Sequence, residues 1–332
     1  MRYGLLAALA VCGCDVGGGP AQDDALDPMS RGEIVFVEQR GHPDFRIATL
    51  SLDTGDIETL FALPSGAFAY AVDVHPETGA VLLAYTEPDP DGPGFDRSVL
   101  VELDDEGPRY ITGLDAAGTW ALHPCWSADG ESIWYVAQGQ QWSSETLPHT
   151  LVRVRRDDNQ IDVEIPWATE PAVSPTGDYM AWVEVEPESY RRKVVMGTAD
   201  GDPIRTLVDQ DDVYDLGTPT FSSDGGGVFV LVLESPITMR SADLSAAPEA
   251  TGHGTHLLPG DWYGIAVDDT ERIAISETST IHHDATVSAA QPLLIAATRE
   301  GITTVDLRTG TAEPLLLNRA IRSVAWRPGH DD

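Results

Sequence analysis

The stretch His123-Pro-Cys-Trp-Ser-Ala-Asp-Gly-Glu-Ser-Ile-Trp-Tyr-Val136 decides the fold. A strand closes on Trp126, Ser127 to Gly130 reverse the chain, and a second strand restarts at Ser132. Gly130 tolerates the positive φ of a tight reversal, and Asp129 can hydrogen-bond its own backbone there. Trp126 and the Ile133-Trp-Tyr-Val run suit a pleated, buried surface. The hairpin recurs. Val72-Asp-Val-His-Pro-Glu-Thr-Gly79 precedes it, and Pro171-Ala-Val-Ser-Pro-Thr-Gly177 and Pro219-Thr-Phe-Ser-Ser-Asp-Gly225 follow. Degenerate copies stand at Gly264-Ile-Ala-Val-Asp-Asp-Thr270 and Ser323-Val-Ala-Trp-Arg-Pro-Gly329. The turn glycines at 79, 130, 177 and 225 are 51, 47 and 48 residues apart, room for about four strands per unit. That period is the sequence signature of a propeller blade.

The ends of the chain complete the pattern. Glu33 to Glu38, Phe45 to Leu52 and Ile57 to Leu63 make three strands with no innermost one, and Ile321 to Trp326 supplies it from the other terminus. A blade split between the termini closes the ring and removes open sheet edges. Full blades are expected over Tyr70–Leu114, Thr119–Ile165, Thr169–Val208, Gly217–Leu258 and Trp262–Leu317. The expected fold is therefore all-β: a six-bladed β-propeller with four-stranded blades, closed by pairing of the C-terminal strand with the N-terminal blade. Thr280 to Gln291 reads as an inserted loop, and a degraded seventh blade there is the alternative.

The Trp-Ser-x-Asp-Gly core, at Trp126–Gly130, Phe221–Gly225 and Val173–Gly177, resembles the repeat of TolB-like and related WD-repeat-like β-propellers. The resemblance spans residues 33 to 329 and implies the propeller fold. It does not choose a ligand, because fold alone does not.

Ahead of the propeller, Gly4 to Val11 is an apolar run far below the roughly 20 residues of a membrane-spanning helix, so residues 1–13 read as a secretory signal. Val11-Cys12-Gly13-Cys14 resembles the bacterial lipoprotein signal motif, which implies lipidation of Cys14 and attachment to a membrane by lipid; an ordinary cleaved signal is the alternative. Residues 14–32 are Gly-, Asp- and Pro-rich and read as a solvated tether, leaving 33–332 as the propeller domain. The expected location is outside the cytoplasm of a bacterium.

Twenty Lys plus Arg against 54 Asp plus Glu give a net charge of −34, with Lys193 the only lysine. Such a surface repels nucleic acid and anionic head groups, which depend on basic patches. Cations and basic peptides are its complements.

No Gly-x-Ser-x-Gly elbow, His-Glu-x-x-His pair or Gly-Lys-Ser/Thr phosphate loop occurs. Cys125 reads as an inert thiol inside an inner strand. No organic cofactor is expected; calcium is the one ion the acidic residues admit. His253 and His256, the His282-His283-Asp284 run, and the inner-strand residues Asp73, His75 and His123 are candidate metal ligands, joined by Glu170 and Asp268. Glu87 to Asp96 has alternating acids without the closing Glu of a calcium loop.

The long loops at Glu87–Asp96, Gln138–Pro148 and Thr278–Gln291 join second to third strands, so they share a face with the crossovers that enter inner strands. Those crossovers carry aromatics. The expected recognition face holds Asp89, Asp91, Asp96, Trp120, Trp142, Trp167, Tyr214, Trp262, His282 and His283. Two functions follow as expectations. One is a non-catalytic binding or scaffold module for an envelope protein, peptide or glycan. The other is a cation-dependent, lactonase-like hydrolase or lyase with its site in the central channel.

Overall fold

A computed structural model describes residues 32–41, 44–88, 96–104, 106–111, 119–139, 149–210, 215–233, 261–267, 272–276, 282–288, 292–298 and 300–328. Every regular element among them is a strand. In chain order they are β1 (Gly32–Gly41), β2 (Asp44–Ser51), β3 (Ile57–Ala62), β4 (Phe68–Val74), β5 (Val81–Pro88), β6 (Asp96–Asp104), β7 (Gly107–Tyr110) and β8 (Thr119–Trp126). Next come β9 (Ser132–Gly139), β10 (Thr150–Arg155), β11 (Ile161–Pro166), β12 (Ala168–Val173), β13 (Tyr179–Val185), β14 (Arg192–Thr198), β15 (Pro203–Asp209) and β16 (Asp215–Phe221). The last are β17 (Gly227–Leu233), β18 (Asp261–Ala266), β19 (Arg272–Ser276), β20 (His282–Val287), β21 (Leu293–Thr298), β22 (Gly301–Asp306), β23 (Ala312–Leu317) and β24 (Ala320–Pro328).

They form six four-stranded antiparallel sheets. Blade 1 has the order β24-β1-β2-β3, so the C-terminal strand is its innermost; blades 2 to 6 take four consecutive strands each, starting at β4, β8, β12, β16 and β20. The closure pairs Ile34 with Trp326, Val35 with Ala325 and Phe36 with Val324. Side chains reinforce it: Arg319 and Arg46 both bond Glu38, at 2.6 and 2.5 Å, and Arg322 bonds Gln39 at 2.9 Å.

Blades stack through their faces, and the strand period of two explains how. On β1, Val35 and Val37 enter the cluster shared with blade 2, while Ile34 and Phe36 enter the one shared with blade 6. One apolar cluster fills each of the six junctions between neighbouring blades, and the largest buried side chains, among them Trp134, Trp182 and Trp262, lie there. The ring is held by inter-blade burial.

Two blade boundaries differ from the sequence reading. Trp262 to Ala266 is β18, the third strand of blade 5, paired with β17; it is not the inner strand of blade 6. The inner strand of blade 6 is β20, inside the stretch expected to be a loop, so no seventh blade is needed. Residues 234–260 lie between β17 and β18 in sequence and outside the described residues, and their number displaced the period.

Candidate functional site

An antiparallel meander places the turns after first and third strands on one face, here called the turn face. The crossovers between blades lie on the opposite, crossover face. The channel between the six inner strands holds a cavity of about 430 Å³. Its walls run from His123, Glu170, Thr218 and Asp284, past Asp73 and Cys125, to Pro76, Ala128, Pro175 and Ser223 among the turns. Pro175 and Ser223 are exposed, so the cavity reaches solvent on the turn face.

Local sequence explains the wall. Four residues before the first residue after the inner strand of blades 2 to 6 (His75, Ser127, Ser174, Ser222 and Ser288), and before the equivalent Arg327 near the end of β24, stand Ala71, His123, Glu170, Thr218, Asp284 and Ser323. In blades 3, 4 and 5 this residue has positive φ, 48° at His123, 51° at Glu170 and 48° at Thr218. Each lies in a bulge against the second strand and each is followed by proline, at 124, 171 and 219. A bulge leaves an N–H outside the ladder, and proline has none to lose.

The channel carboxylates tie blades together. Asp73 of blade 2 accepts a hydrogen bond from Trp126 N of blade 3 at 2.6 Å. Glu170 of blade 4 accepts from Thr218 N of blade 5 and from Arg192. Asp284 of blade 6 accepts from Ser323 Oγ at 2.5 Å and Val324 N at 3.3 Å, both of blade 1. Burial pushes Asp73 up to about 6, against the hydrogen bonds from Trp126, Val74 and Cys125. Burial pushes Asp284 up to about 7, and the charge of Asp73 adds to the effect. Cys125 is raised well above the usual thiol range by burial and by Asp73, which keeps the sulfur protonated and unreactive. Among the described residues no three His, Cys, Asp or Glu side chains converge to hold a metal ion.

The sequence-expected residues fall in different places. Asp73, His75, His123 and Glu170 line the cavity, and so does Asp284 from the His282-His283-Asp284 run. His282 and His283 lie in β20, not in a loop. Trp120 packs against the cluster between blades 3 and 4, and Trp167, with φ of 59°, stands at the crossover between them. Trp262 is fully buried between blades 5 and 6 and does not reach the crossover face. Asp96 opens β6, its backbone paired with Pro88. Cys14, Asp89, Asp91, Trp142, Tyr214, His253, His256 and Asp268 lie outside the described residues.

Sequence reading missed the turn face. Its first-to-second-strand turns expose Glu77, Asp129, Glu131, Asp178 and Asp224 around the cavity mouth. The third-to-fourth-strand turns add Asp56, Glu106, Asp158 and Asp202 outside them. The arginines there are paired, Arg155 with Asp158, Arg308 with Asp306, Arg156 with Glu102 and Arg327 with Glu33. The signal was present in the turn sequences themselves, which carry Asp or Glu in nearly every copy.

The fold and channel define a six-bladed β-propeller. Among solved structures, the chain is similar to a chain of a nidogen/laminin complex, with TM-score 0.61 and 10% identity over 89% of this chain and 98% of that one. A TolB candidate from Agrobacterium tumefaciens gives TM-score 0.57 and 11% identity over 90% and 98%. A candidate 6-phosphogluconolactonase from Bacteroides fragilis gives 0.52 and 10% over 91% and 99%. At these identities the likeness is one of fold. No protein-family model and no curated protein sequence matches the chain. Among the described residues no helix is long and apolar enough to cross a membrane.

Proposed function

We propose that this chain is a non-catalytic binding module of the bacterial envelope, held to a membrane by lipid on Cys14, that recognises a protein, peptide or glycan partner through the turn face. One observation carries the reading: the cavity opens on the face where exposed carboxylates gather and every basic group named above is already paired. A face of that charge attracts basic partners and raises their encounter rate, so a basic peptide segment suits it best. The channel carboxylates support a non-catalytic role, since each already accepts hydrogen bonds from a neighbouring blade. The test is capture from envelope extract by the mature chain and by a variant with Glu77→Lys, Glu131→Lys and Asp178→Lys, none of which caps a turn. Loss of capture by the variant, with retention by Trp120→Ala, is expected. Equal capture by the charge-reversed variant would move the interface off this face.

A cation-dependent hydrolase or lyase is the second reading, and one feature favours it: Asp73, Asp284, Glu170 and His123 all line one cavity. It requires calcium that copurifies with the protein and lactone or ester turnover lost in Asp73→Ala. A protein without tight calcium binding by calorimetry removes this reading.

A further inference from the structure

The chain enters the ring at a fixed point. β1 runs antiparallel to β24, with Gly32 opposite Pro328, so β1 begins on the turn face and ends on the crossover face. Gly32 is held there from two sides. Its carbonyl accepts the N–H of Leu52 at 3.3 Å, and the indole of Trp326 fills the space that a side chain at 32 would need. Arg327, the next residue, lies against the Gly79 turn of blade 2 and pairs with Glu33 at 3.4 Å. The segment that carries Cys14 therefore joins the propeller on the face where the cavity opens, one strand out from the channel.

The geometry points to a propeller that hangs with its turn face toward the membrane holding Cys14, and to a partner that meets this face from the same membrane: a protein whose basic segment lies at the bilayer surface. The inference rests on the lipid-anchored reading above. Eighteen residues, 15 to 32, lead from Cys14 to the ring. A solvated chain of that length spans about 23 Å r.m.s. and at most about 65 Å. With the turn face down, the tether has only to bridge the gap to the bilayer. With the crossover face down, it has to pass out over β2 and β3, about 10 Å, and then down the height of the ten-residue β1, about 33 Å. That path is nearly twice the r.m.s. span, so chain entropy favours the first arrangement.

Charge decides what fills the gap. Residues 15–31 hold four Asp and one Arg, so the carboxylates of the turn face repel the tether, and it is not their occupant. Anionic head groups are repelled for the same reason. Glu77, Glu131 and Asp178 thus stand over a bilayer they do not bind, and a basic segment between the two is attracted by both. On the crossover face Arg40 is exposed near the end of β1, and anionic lipid attracts it. The exit point and the charge of the two faces therefore make opposite demands, and a bilayer containing phosphatidylglycerol sets one against the other.

Energy transfer tests the proposal, with the whole lipidated chain in vesicles of phosphatidylcholine and phosphatidylglycerol and an acceptor dye on the head groups. The donor sits at Glu106→Cys on the turn face or at Glu188→Cys in the crossover-face turn between β13 and β14. The two sites differ by about the height of a blade, about 33 Å, so transfer should be several-fold stronger from 106. Lipid-linked oligolysine in the same vesicles should raise it further. Glu77→Lys with Glu131→Lys and Asp178→Lys should cancel that rise, and so should about 1 M salt, where the Debye length is about 3 Å. Equal transfer from both sites, stronger transfer from 188, or oligolysine that acts only from separate vesicles overturns the proposal. Oligolysine without effect from either removes the acidic-face reading as well. Mass spectrometry of the chain from a bacterial envelope separates the remaining failures. Absence of lipid on Cys14 removes the anchored reading and this one together, whereas a lipidated chain with equal transfer removes this one alone.

Discussion

The imidazole of His75 occupies the space that a side chain on Gly130 would need: a Cβ there would lie 2.1 Å from His75 Nε2. The relation repeats around the ring. A Cβ on Gly225 would meet Ser174 Oγ at 2.6 Å, and one on Gly79 would meet Arg327 Nε at 3.1 Å. At Gly79, Gly130 and Gly225 the overlying residue is at the same position of the preceding blade, while Gly177 faces Ala128, with a Cβ there 3.3 Å from that of Ala128. The Asp-Gly turn therefore serves two purposes, a left-handed reversal and the seating of the next blade.

Gly130→Ala should lose roughly 2–4 kcal/mol of stability, about 1 from the left-handed backbone and about 1–3 from the overlap with His75. Gly55 is the control, since its φ of 74° is similar but nothing lies within 4 Å of its Cβ position. Gly55→Ala should lose only about 1 kcal/mol. Urea denaturation of both variants measures the difference, and equal losses would remove the inter-blade contact from the explanation.

His75 also caps its own turn, with Nδ1 accepting the N–H of Glu77 and Thr78 at 3.2 Å each. Its pKa lies below 6.5, first because of burial and then because of the Arg156 charge. A base with a depressed folded pKa stabilises the fold while neutral, and that stability drains away as pH falls below 6.5. The serines at this position in blades 3, 4 and 5 have no such titration. His75→Ser should therefore flatten the acid side of a Tm-against-pH curve between pH 7 and 5. An unchanged slope there would show that His75 does not supply it.

Glu102 is fully buried and bonded by Arg109 and Arg156, with the guanidinium of Arg156 also over the ring of Trp126. Burial alone would raise its pKa, but hydrogen bonds from Arg156 and Arg109 more than offset that and hold it below the usual range. Removing both arginines would strand a buried carboxylate. The double variant Arg109→Ala, Arg156→Ala should lose roughly 2–4 kcal/mol, discounted because both arginines are partly in water. Glu102→Gln should lose less, since it leaves the guanidiniums hydrated. Chemical denaturation at pH 7 compares them, and the reverse order would contradict the account.

Blade count, closure and Asp-Gly turns were legible because each depends on local rules: a glycine where φ is positive, alternation on strands buried on both faces, and an unmatched inner strand at one end. The partition of blades 5 and 6 was not. Trp262-Tyr-Gly-Ile-Ala reads like an inner strand because any doubly buried strand looks alike, while β20, with His282, His283 and Asp284 at its start and no Asp-Gly turn after it, reads like a loop. The channel was half legible. Asp73 and Glu170 were seen as residues pointing at the axis, but that each is bonded to the adjacent blade depends on distances between strands some 50 residues apart in sequence. No linear pattern encodes that. The aromatic residues misled in the same way, since wedging between blades and facing solvent call for the same side chains, and Trp262 does the former.

Thr218 offers the sharpest separation of structural from functional demand. A β-branched residue at φ 48° is a backbone outlier, and such strain amounts to roughly 1–3 kcal/mol. Its N–H donates to Glu170 whatever the side chain, while the hydroxyl lies 3.4 Å from the same carboxylate. Thr218→Gly keeps the N–H bond and relieves the backbone, so it should gain about 1 kcal/mol. Thr218→Ala keeps the strain and loses the hydroxyl, so it should gain nothing. Because the side chain lines the cavity that opens on the turn face, a strained threonine retained for recognition makes a second demand: the stabilised Thr218→Gly protein should capture less partner than the wild type. A variant that is both more stable and fully competent in capture would show that the threonine serves neither the fold nor the binding face.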